Sequence, residues 1–309
     1  MKILFISRGI ALDYQADCLF HGLCSLDGVE VYILNETSYD FMFSGLVEDR
    51  QLKKMYGKGF TITNRIDPRK KKVHSYSQAL ENIKNHFYDF IVYGSITRCQ
   101  NLLPEVLAYY KRNSIIIVNG EDDDLSLWRF CNIPKRAFFL RKLLKLSEKS
   151  IFFMRELLPA YSNYFRPISF ATPSENIVSK IPDKKVDLAF LIPGRLDTYI
   201  YDDETSYNQA YQESRFAVTC KKAGWDCLRH YEILANGCIP YFPDLNKLPP
   251  TTMTFFPKNF ILQTNFLYNQ KNFHKQYSFF AKTLLDYTKR YLTTEYMAAY
   301  VLATAECSR

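Results

Sequence analysis

The sequence predicts an α/β protein built from two doubly wound parallel sheets, and three observations lead to this fold class. Short apolar runs alternate with amphipathic stretches along most of the chain, as expected for parallel strands joined by crossover helices. The alternation stops once, at the Pro-, Ser- and Lys-rich segment 166–185, and then restarts. The 309 residues are enough for two such domains, which we predict at residues 1–165 and 180–309.

The first half opens with a strand, a helix and a second strand. Residues 3–6 form a continuous apolar run, typical of a strand covered on both faces, and residues 14–26 have the periodicity of an amphipathic helix. Ligands of such sheets bind beyond the carboxyl ends of the strands, so we expect site residues directly after them. The same reasoning predicts further strands at 29–34, 88–93 and 114–119, and helices at 75–86, 103–111 and 134–149.

The second half repeats this alternation on a smaller scale. Between the linker and the C-terminus, apolar runs again alternate with helix-like stretches, and a final long helix is expected to break near Thr293. We predict strands at 186–191, 215–219, 239–242, 252–256 and 260–263, and helices at 205–213, 226–236 and about 273–303.

Composition favours a well-buried protein in a reducing compartment. Hydrophobic residues make up 47% of the chain and charged residues 23%. The eight cysteines include no C-x-x-C pair, so the common zinc and thioredoxin patterns are absent. The apolar N-terminal run is too short for a signal peptide, and no stretch reaches the ~18 apolar residues of a membrane span. We therefore expect a cytoplasmic protein.

Charge and motifs narrow the function classes. The formal net charge of +8 suits an enzyme of phosphorylated substrates, and the dispersed basic residues argue against nucleic-acid binding. The sequence lacks the phosphate loop of P-loop NTPases, the G-x-G-x-x-G of NAD enzymes and the Ser-His-Asp spacing of hydrolases. The predicted basic helix at 134–149 fits either a peripheral contact with a membrane surface or an ordinary solvated helix face.

The segment 224–240 carries the strongest functional signal. It follows a buried strand, and we predict a helix that has Asp226 as its N-cap and ends at Gly237. The free N–H groups at the start of such a helix can bind a diphosphate, and Lys221 and Lys222 precede them.

One face of this helix is polar and contains Trp225, Arg229, Glu232 and Asn236. A carboxylate such as that of Glu232 can accept two hydrogen bonds from the hydroxyl groups of a ribose. The pattern also fits an ordinary surface helix with an ion pair between Arg229 and Glu232. The spacing alone leaves both interpretations open.

A resemblance favours the first interpretation. The pattern Gly-Trp-Asp-x-x-Arg-x-Tyr-Glu-x-x-Ala-x-Gly-x-x-Pro at 224–240 resembles the donor-site motif of GT-B glycosyltransferases, particularly the CgeB-like and exostosin-like groups. Residues 13–23 resemble the Asp-Tyr-x-x-Asp-x-x-x-His-Gly-Leu segment of CgeB-like proteins. The resemblance implies two Rossmann-like domains facing across a cleft, with Glu232 on the donor's ribose and Arg229 near its phosphate or sugar.

The resemblance also assigns the two halves. The second domain is expected to bind a nucleoside diphosphate sugar, and the first domain the acceptor. Arg195, in the turn Pro193-Gly194-Arg195, fits either a phosphate contact or a plain turn. The full set of predicted donor-binding residues is Arg195, Lys221, Lys222, Gly224, Trp225, Asp226, Arg229, Glu232 and Asn236.

An inverting transferase needs a general base from the first domain, whereas a retaining one does not, and the sequence does not separate the two. Asp13, Asp17 and His21 are the candidate catalytic residues, with Asp13 preferred because it precedes the predicted helix. The run Asp122-Asp123-Asp124 fits a metal site, a helix cap at Leu125 or a role on the acceptor side. Because GT-B enzymes neutralise the leaving diphosphate with N–H groups and basic side chains, we expect neither a metal nor a separate cofactor.

The resulting prediction is a metal-independent glycosyltransferase of polysaccharide biosynthesis that acts on a glycan or glycolipid acceptor. Two alternatives stay open at this point. One is another sugar-nucleotide enzyme, such as an epimerase, which would act without an acceptor. The other is a non-catalytic protein that binds glycan or anionic lipid through its basic helix and its aromatic residues, which make up 16% of the chain.

Overall fold

A computed structural model describes residues 1–9, 11–37, 39–55, 60–126, 134–268 and 273–308. Within these ranges the chain forms two parallel sheets with helices packed against them, so the predicted α/β class is confirmed. The strands are β1 (Lys2–Ile6), β2 (Glu30–Leu34), β3 (Lys72–His74), β4 (Phe90–Tyr93), β5 (Ile115–Asn119), β6 (Ile151–Met154), β7 (Arg166–Pro167), β8 (Val186–Leu188), β9 (Ser214–Val218) and β10 (Ile239–Tyr241).

Helices connect most of these strands and close the C-terminal end of the chain. The predicted helices of the first half agree with the observed ones to within a few residues. The α-helices are α1 (Tyr14–Ser25), α2 (Asp49–Leu52), α3 (Tyr76–Lys84), α4 (Leu103–Tyr109), α5 (Pro134–Lys149), α6 (Glu204–Gln212), α7 (Leu228–Ala235), α8 (Lys258–Tyr268), α9 (Phe273–Tyr291) and α10 (Thr294–Glu306).

The first sheet has seven parallel strands in the order β3-β2-β1-β4-β5-β6-β7. Strands β4, β5 and β6 are buried at every position, as expected where helices cover both faces of a parallel sheet. The order runs outwards in both directions from β1 and β4. The carboxyl ends of these two strands therefore form the switch point at which ligands of doubly wound sheets bind.

The expected linker 166–185 starts inside the first sheet. Arg166 and Pro167 form β7, which pairs with the end of β6. A proline is tolerated there because β7 is the edge strand and needs no further N–H donor. Ile168 and Ala171, which follow it, are completely buried.

The second sheet is smaller and has three parallel strands in the order β10-β9-β8. The strands predicted at 252–256 and 260–263 are wrong. The first region forms turns, and the second lies within α8, where Ile261 is buried on one face of the helix. A short apolar run does not separate a strand from a buried helical turn by periodicity alone, which explains the error.

The C-terminal helix α10 packs against α1 of the first half. The two backbones approach so closely at Gly22 that an added Cβ would lie 2.0 Å from the carbonyl oxygen of Thr294. The expected break occurs just before Thr294, with Thr293 capping α10 through a hydrogen bond from the Tyr296 N–H. None of the helices in the described ranges combines the length and the hydropathy of a membrane span.

Candidate functional site

A cavity of about 290 Å³ is lined by residues from both halves of the chain. The wall from the first half is formed by Tyr14, at the start of α1, together with the adjacent residues Phe60 and Thr61 of a later loop. The second half contributes residues that follow β8 and β9 or belong to α6 and α7: Leu191, Tyr199, Tyr201, Tyr207, Lys222, Cys227, Leu228, Arg229 and Glu232. The cavity therefore has two cations and one carboxylate set among aromatic rings.

Glu232 lies in the middle of α7, on the face that lines the cavity. Its carboxylate accepts a hydrogen bond from the hydroxyl group of Tyr207. Burial raises the pKa of Glu232, although Tyr207, the charge of Arg229 and the side chain of Thr61 act in the opposite direction. The donor that holds the carboxylate is a hydroxyl group, the same chemical group that a ribose offers.

Thr61 reaches Glu232 from a strained backbone. Its φ is +80°, in a region that β-branched residues rarely adopt because their Cβ substituents crowd the backbone. Its carbonyl oxygen accepts hydrogen bonds from Arg65 Nε at 3.0 Å and Asn176 Nδ2 at 2.6 Å. Arg65 in turn forms an ion pair with Glu204 at the start of α6. Arg65, which is paired with α6, and Asn176, in the segment 166–185, therefore hold Thr61 in this conformation.

The cationic side of the cavity is organised around Tyr199. Its hydroxyl oxygen accepts hydrogen bonds from Lys222 Nζ and Arg229 Nη2, each at 3.1 Å. Burial acts to raise the pKa of Tyr199, but the hydrogen bond from Lys222 and the charge of Arg229 outweigh it, and the pKa is lowered. This point of the cavity therefore stabilises negative charge on oxygen.

The amide groups before α7 are already used by a side chain from the first half. Glu156 accepts hydrogen bonds from the N–H groups of Trp225 at 3.0 Å and Asp226 at 2.9 Å. Gly224 is packed so closely that an added Cβ would lie 2.6 Å from Glu156 Oε1. Gly224, Trp225 and Asp226 are predicted to bind the donor, but they lie outside the cavity lining. Their packing against Glu156 joins the two halves of the chain.

Asp226 does not cap α7, which corrects the sequence prediction. Helix α7 begins at Leu228, and the preceding residue makes no side-chain cap. The Asp226 carboxylate instead accepts hydrogen bonds from the Phe170 N–H and the Tyr231 hydroxyl, both at 2.8 Å. The Asp226 carbonyl oxygen accepts a third hydrogen bond from Arg155 Nη1 at 2.6 Å.

Three more predicted donor-binding residues do not line the cavity. Arg195 forms an exposed ion pair with Asp197 at 2.8 Å. Lys221 places its ammonium group 5.4 Å from the centre of the Trp225 ring. Asn236 is buried and bonds to α6 through Gln212 Nε2 at 2.9 Å and Asn208 Oδ1 at 3.0 Å. Of the nine predicted positions, the cavity brings together Lys222, Arg229 and Glu232.

Asp13 lies at the switch point of the first sheet, next to the cavity-lining Tyr14, and is 8% exposed. Its carboxylate accepts a hydrogen bond from the Ala16 N–H at 3.4 Å and lies 3.2 Å from Arg98 Nη1. Burial raises the pKa of Asp13, and the charge of Arg98 opposes this shift. Asp13 itself does not line the cavity, and its carboxylate accepts a proton more readily than usual.

The other two catalytic candidates lie deeper or elsewhere. Asp17 is completely buried and accepts a hydrogen bond from the Asp13 N–H at 2.9 Å. His21 joins three segments, with Nδ1 2.8 Å from Thr294 Oγ1 and Nε2 3.2 Å from Glu175 Oε1. Its ring therefore lies at the packing contact between α1 and α10, away from the cavity lining.

The side chains of the acidic run 122–124 all contact other groups of the chain. Asp122 pairs with Arg155, and the side chains of Asp123 and Asp124 accept hydrogen bonds from the N–H groups two residues ahead. Residues 125 and 126 are not helical, and 127–133 lie outside the described residues. Across the described ranges, no group of three or more His, Cys, Asp and Glu side chains is placed to hold a metal ion.

The sequence reasoning missed the cavity residues Phe60, Thr61, Tyr199 and Tyr207. The aromatic content of 16% suits sugar binding, but no spacing distinguishes these rings from the many that pack in the core. Thr61 has no sequence signal, because nothing in the chain marks a threonine that adopts positive φ.

Solved structures resemble this chain, and one of them matches it over its whole length. It is that of Anabaena Alr3699/HepE in complex with UDP and glucose, which matches with a TM-score of 0.51 and 11% sequence identity over 99% of this chain and 100% of that chain. No protein-family model and no curated protein sequence matches. At this identity the likeness shows the fold. The chain therefore has the predicted GT-B fold, with two Rossmann-like domains facing across a cleft.

Proposed function

We propose that this protein is a glycosyltransferase that uses a nucleoside diphosphate sugar as donor. The observation that carries the proposal is the single cavity that contains Lys222, Arg229 and Glu232 together. Two cations suit a diphosphate, a buried carboxylate suits the hydroxyl groups of a ribose, and aromatic rings suit a base or sugar. The fold likeness to a protein solved with UDP and glucose supports this assignment.

In the proposed donor complex, Glu232 accepts hydrogen bonds from the ribose hydroxyl groups. Arg229 and Lys222 bind the diphosphate and stabilise the negative charge that develops on it as the bond to the sugar breaks. These two fixed cations supply the charge neutralisation that other transferases obtain from a metal ion, so we propose that neither a metal nor a cofactor takes part.

For the acceptor side, we propose Asp13 as the general base of an inverting reaction. Asp13 would take the proton from the acceptor hydroxyl as its oxygen attacks the anomeric carbon, and the nucleoside diphosphate would leave with the bonding electron pair. The completely buried Asp17 would then act by holding the Asp13 backbone. NMR of the product's anomeric configuration tests this step, since retention would remove the need for a base.

Helix α5 supports a glycolipid or membrane-associated acceptor, as in polysaccharide biosynthesis. Its outer face exposes Phe138, which is 71% exposed, beside six basic side chains, an arrangement that suits an anionic membrane surface. The six are Lys135, Arg136, Arg141, Lys142, Lys145 and Lys149.

Cosedimentation with vesicles tests this membrane contact. Phosphatidylglycerol-containing vesicles should bind the protein more strongly than pure phosphatidylcholine vesicles, and salt or replacement of Arg141, Lys142 and Lys145 by Glu should abolish the difference. Equal binding to both vesicle types would contradict the contact.

The seven described cysteines are free thiols, which suits the proposed cytoplasmic compartment.

The donor assignment is tested with a panel of UDP, GDP, ADP and CDP in thermal-shift and calorimetric titrations, beside the matching nucleosides. One diphosphate should bind, and Glu232→Ala should weaken it strongly. Glu213→Ala removes a glutamate that does not line the cavity and serves as the matched control. If the donor affinity of Glu232→Ala equals that of the control, the assignment of the site is wrong.

Product analysis then separates the enzyme classes. A transferase should release the nucleoside diphosphate and transfer the sugar only when an acceptor is present, apart from slow hydrolysis. An isomerised nucleotide sugar, formed without acceptor, would favour the epimerase alternative. The absence of binding to every nucleotide in the panel would favour the non-catalytic alternative.

A further inference from the structure

Three hydrogen-bond donors converge on the hydroxyl oxygen of Tyr199. Lys222 Nζ and Arg229 Nη2 each lie 3.1 Å from it, and the N–H of Gly194 approaches it at 3.5 Å. Two of these donors carry a full positive charge. A phosphate oxygen is the better acceptor for such donors, because hydrogen bonds between two charged groups are roughly twice as strong as neutral ones.

The same two cations also lie over the ring of Tyr199, with Arg229 Cζ 5.3 Å and Lys222 Nζ 5.5 Å from its centre. Arg229 is not fully satisfied by this arrangement. Its Nε–H is buried and has no hydrogen-bond partner among the described residues. The Tyr199 hydroxyl therefore occupies only part of this site. The site offers more positive charge and more N–H donors than one phenol oxygen can accept.

We propose that the Tyr199 hydroxyl oxygen marks a phosphate subsite of the donor, and that Tyr199 competes with the donor's diphosphate for Lys222 and Arg229. This inference rests on the proposed function and deepens it, because it names the anion subsite and adds the Gly194 N–H to it. Tyr199 is a specificity-determining residue in this scheme. A ligand without a diphosphate cannot replace the hydroxyl on the two cations, so a nucleoside alone gains nothing from this part of the cavity.

The surroundings of Tyr199 permit the exchange. The ring is half-buried and projects from the segment 192–203, in which Leu196 and Ile200 are largely exposed. Thr198, by contrast, is buried and bonds through Oγ1 to the carbonyl groups of Ile192 and Arg195, which holds the base of the segment. The Tyr199 side chain can therefore rotate out while the backbone beside it keeps its place.

Calorimetric titrations of wild type, Tyr199→Phe and Tyr201→Phe with UDP, inorganic pyrophosphate and uridine test the proposal. Tyr199→Phe keeps the ring and removes only the competing hydroxyl. Its Kd for UDP and for pyrophosphate should fall about tenfold, the effect of one hydrogen bond to a charged group, while its Kd for uridine stays unchanged. Tyr201→Phe removes a hydroxyl from the same cavity wall and should leave the ratio of the UDP and uridine Kd values as in the wild type.

The outcomes separate this inference from the proposed function. If the wild type binds UDP and Tyr199→Phe binds it equally or more weakly, the competition is refuted while the donor site stands. If the wild type binds neither pyrophosphate nor any nucleoside diphosphate, the donor site itself is refuted. Thermal unfolding of each variant verifies folding, and Tyr199→Leu, which removes ring and hydroxyl together, should also bind pyrophosphate more tightly than the wild type.

Discussion

Thr61, in the first half of the chain, interacts with the carboxylate of Glu232, in the second half, and acts to lower its pKa. The two residues are remote in sequence but line one cavity. The proposed donor site is therefore not confined to the predicted second domain, because Thr61 of the first domain lines the same cavity as Glu232.

Glu232→Gln should weaken binding of the nucleoside diphosphate by about 1.5–3 kcal/mol, the contribution of hydrogen bonds to a charged group. The melting temperature should not fall, because burial raises the pKa of Glu232 and the neutral amide avoids the cost of burying a charge. Calorimetry and thermal unfolding measure the two effects separately. Loss of both binding and stability would indicate that Glu232 acts mainly in folding.

Substitutions of Thr61 should separate strain from function. Thr61→Gly removes both the hydroxyl and the crowding at φ +80°, so the free energy of unfolding should rise by about 1 kcal/mol after the entropic cost of glycine. Thr61→Val keeps the crowding and loses only the hydroxyl, so it should be no more stable than the wild type. Both variants should bind donor more weakly, and Thr61→Ser should recover most of the affinity.

Denaturant unfolding of the three Thr61 variants, followed by donor titration, provides the measurements. A Thr61→Gly variant that is less stable than the wild type would show that the backbone at Thr61 carries no strain. Unchanged donor affinity in Thr61→Val would show that the hydroxyl does not orient Glu232.

Local patterns in the sequence predict the framework of the fold well and the site only in part. Periodicity along α7 places Arg229 and Glu232 on one face, and the structure brings both into the cavity, while their binding roles stay predictions. The N–H groups of Trp225 and Asp226 look free in the sequence because their partner, Glu156, lies about 70 residues earlier. Contacts between distant segments of this kind leave no local pattern.

The cavity tyrosines illustrate the same limit. Tyr199 follows a turn, and Tyr207 lies in α6, so neither position differs in sequence context from the tyrosines that pack in the core. Their proposed roles depend on what surrounds them, which is Lys222 and Arg229 for Tyr199 and Glu232 for Tyr207. Such surroundings are set by tertiary packing rather than by residue type.

Asp13→Asn should lower kcat by at least about 100-fold while leaving the Kd of the nucleoside diphosphate unchanged, because general-base catalysis contributes that much and Asp13 does not line the cavity proposed for the donor. Wild-type activity should fall as the pH drops through the pKa of Asp13, since the base acts in its ionised form. Burial raises this pKa, so the acidic limb should lie above the ordinary range of an aspartate.

His21→Gln is the matched comparison for Asp13. It removes the bonds to Thr294 and Glu175 and should lower the free energy of unfolding without a comparable loss of kcat. A kcat for His21→Gln as low as that of Asp13→Asn would mean that His21, rather than Asp13, carries the proton transfer.

His230 should make the stability of the protein fall in mild acid. The residue is completely buried in α7, where Nε2–H donates to the Trp225 carbonyl at 2.9 Å and Nδ1 accepts from Thr219 Oγ1 at 2.7 Å. Acceptance at Nδ1 requires a neutral ring, and burial lowers the pKa of His230 to about 4. The unfolded chain takes up a proton below about pH 6.5, whereas the folded protein does so only below about pH 4.

The contribution of the neutral His230 ring to the free energy of unfolding is therefore fully present above about pH 6.5 and is lost as the pH falls towards about 4. Linkage gives a decrease in the free energy of unfolding of about 2 kcal/mol between about pH 8 and about pH 5 from this one residue. Chemical denaturation at the two pH values measures it. His230→Gln should lose that part of the slope, whereas His86→Asn, at an exposed histidine, should keep it. Equal slopes in wild type and His230→Gln would show that His230 is not held neutral by its surroundings.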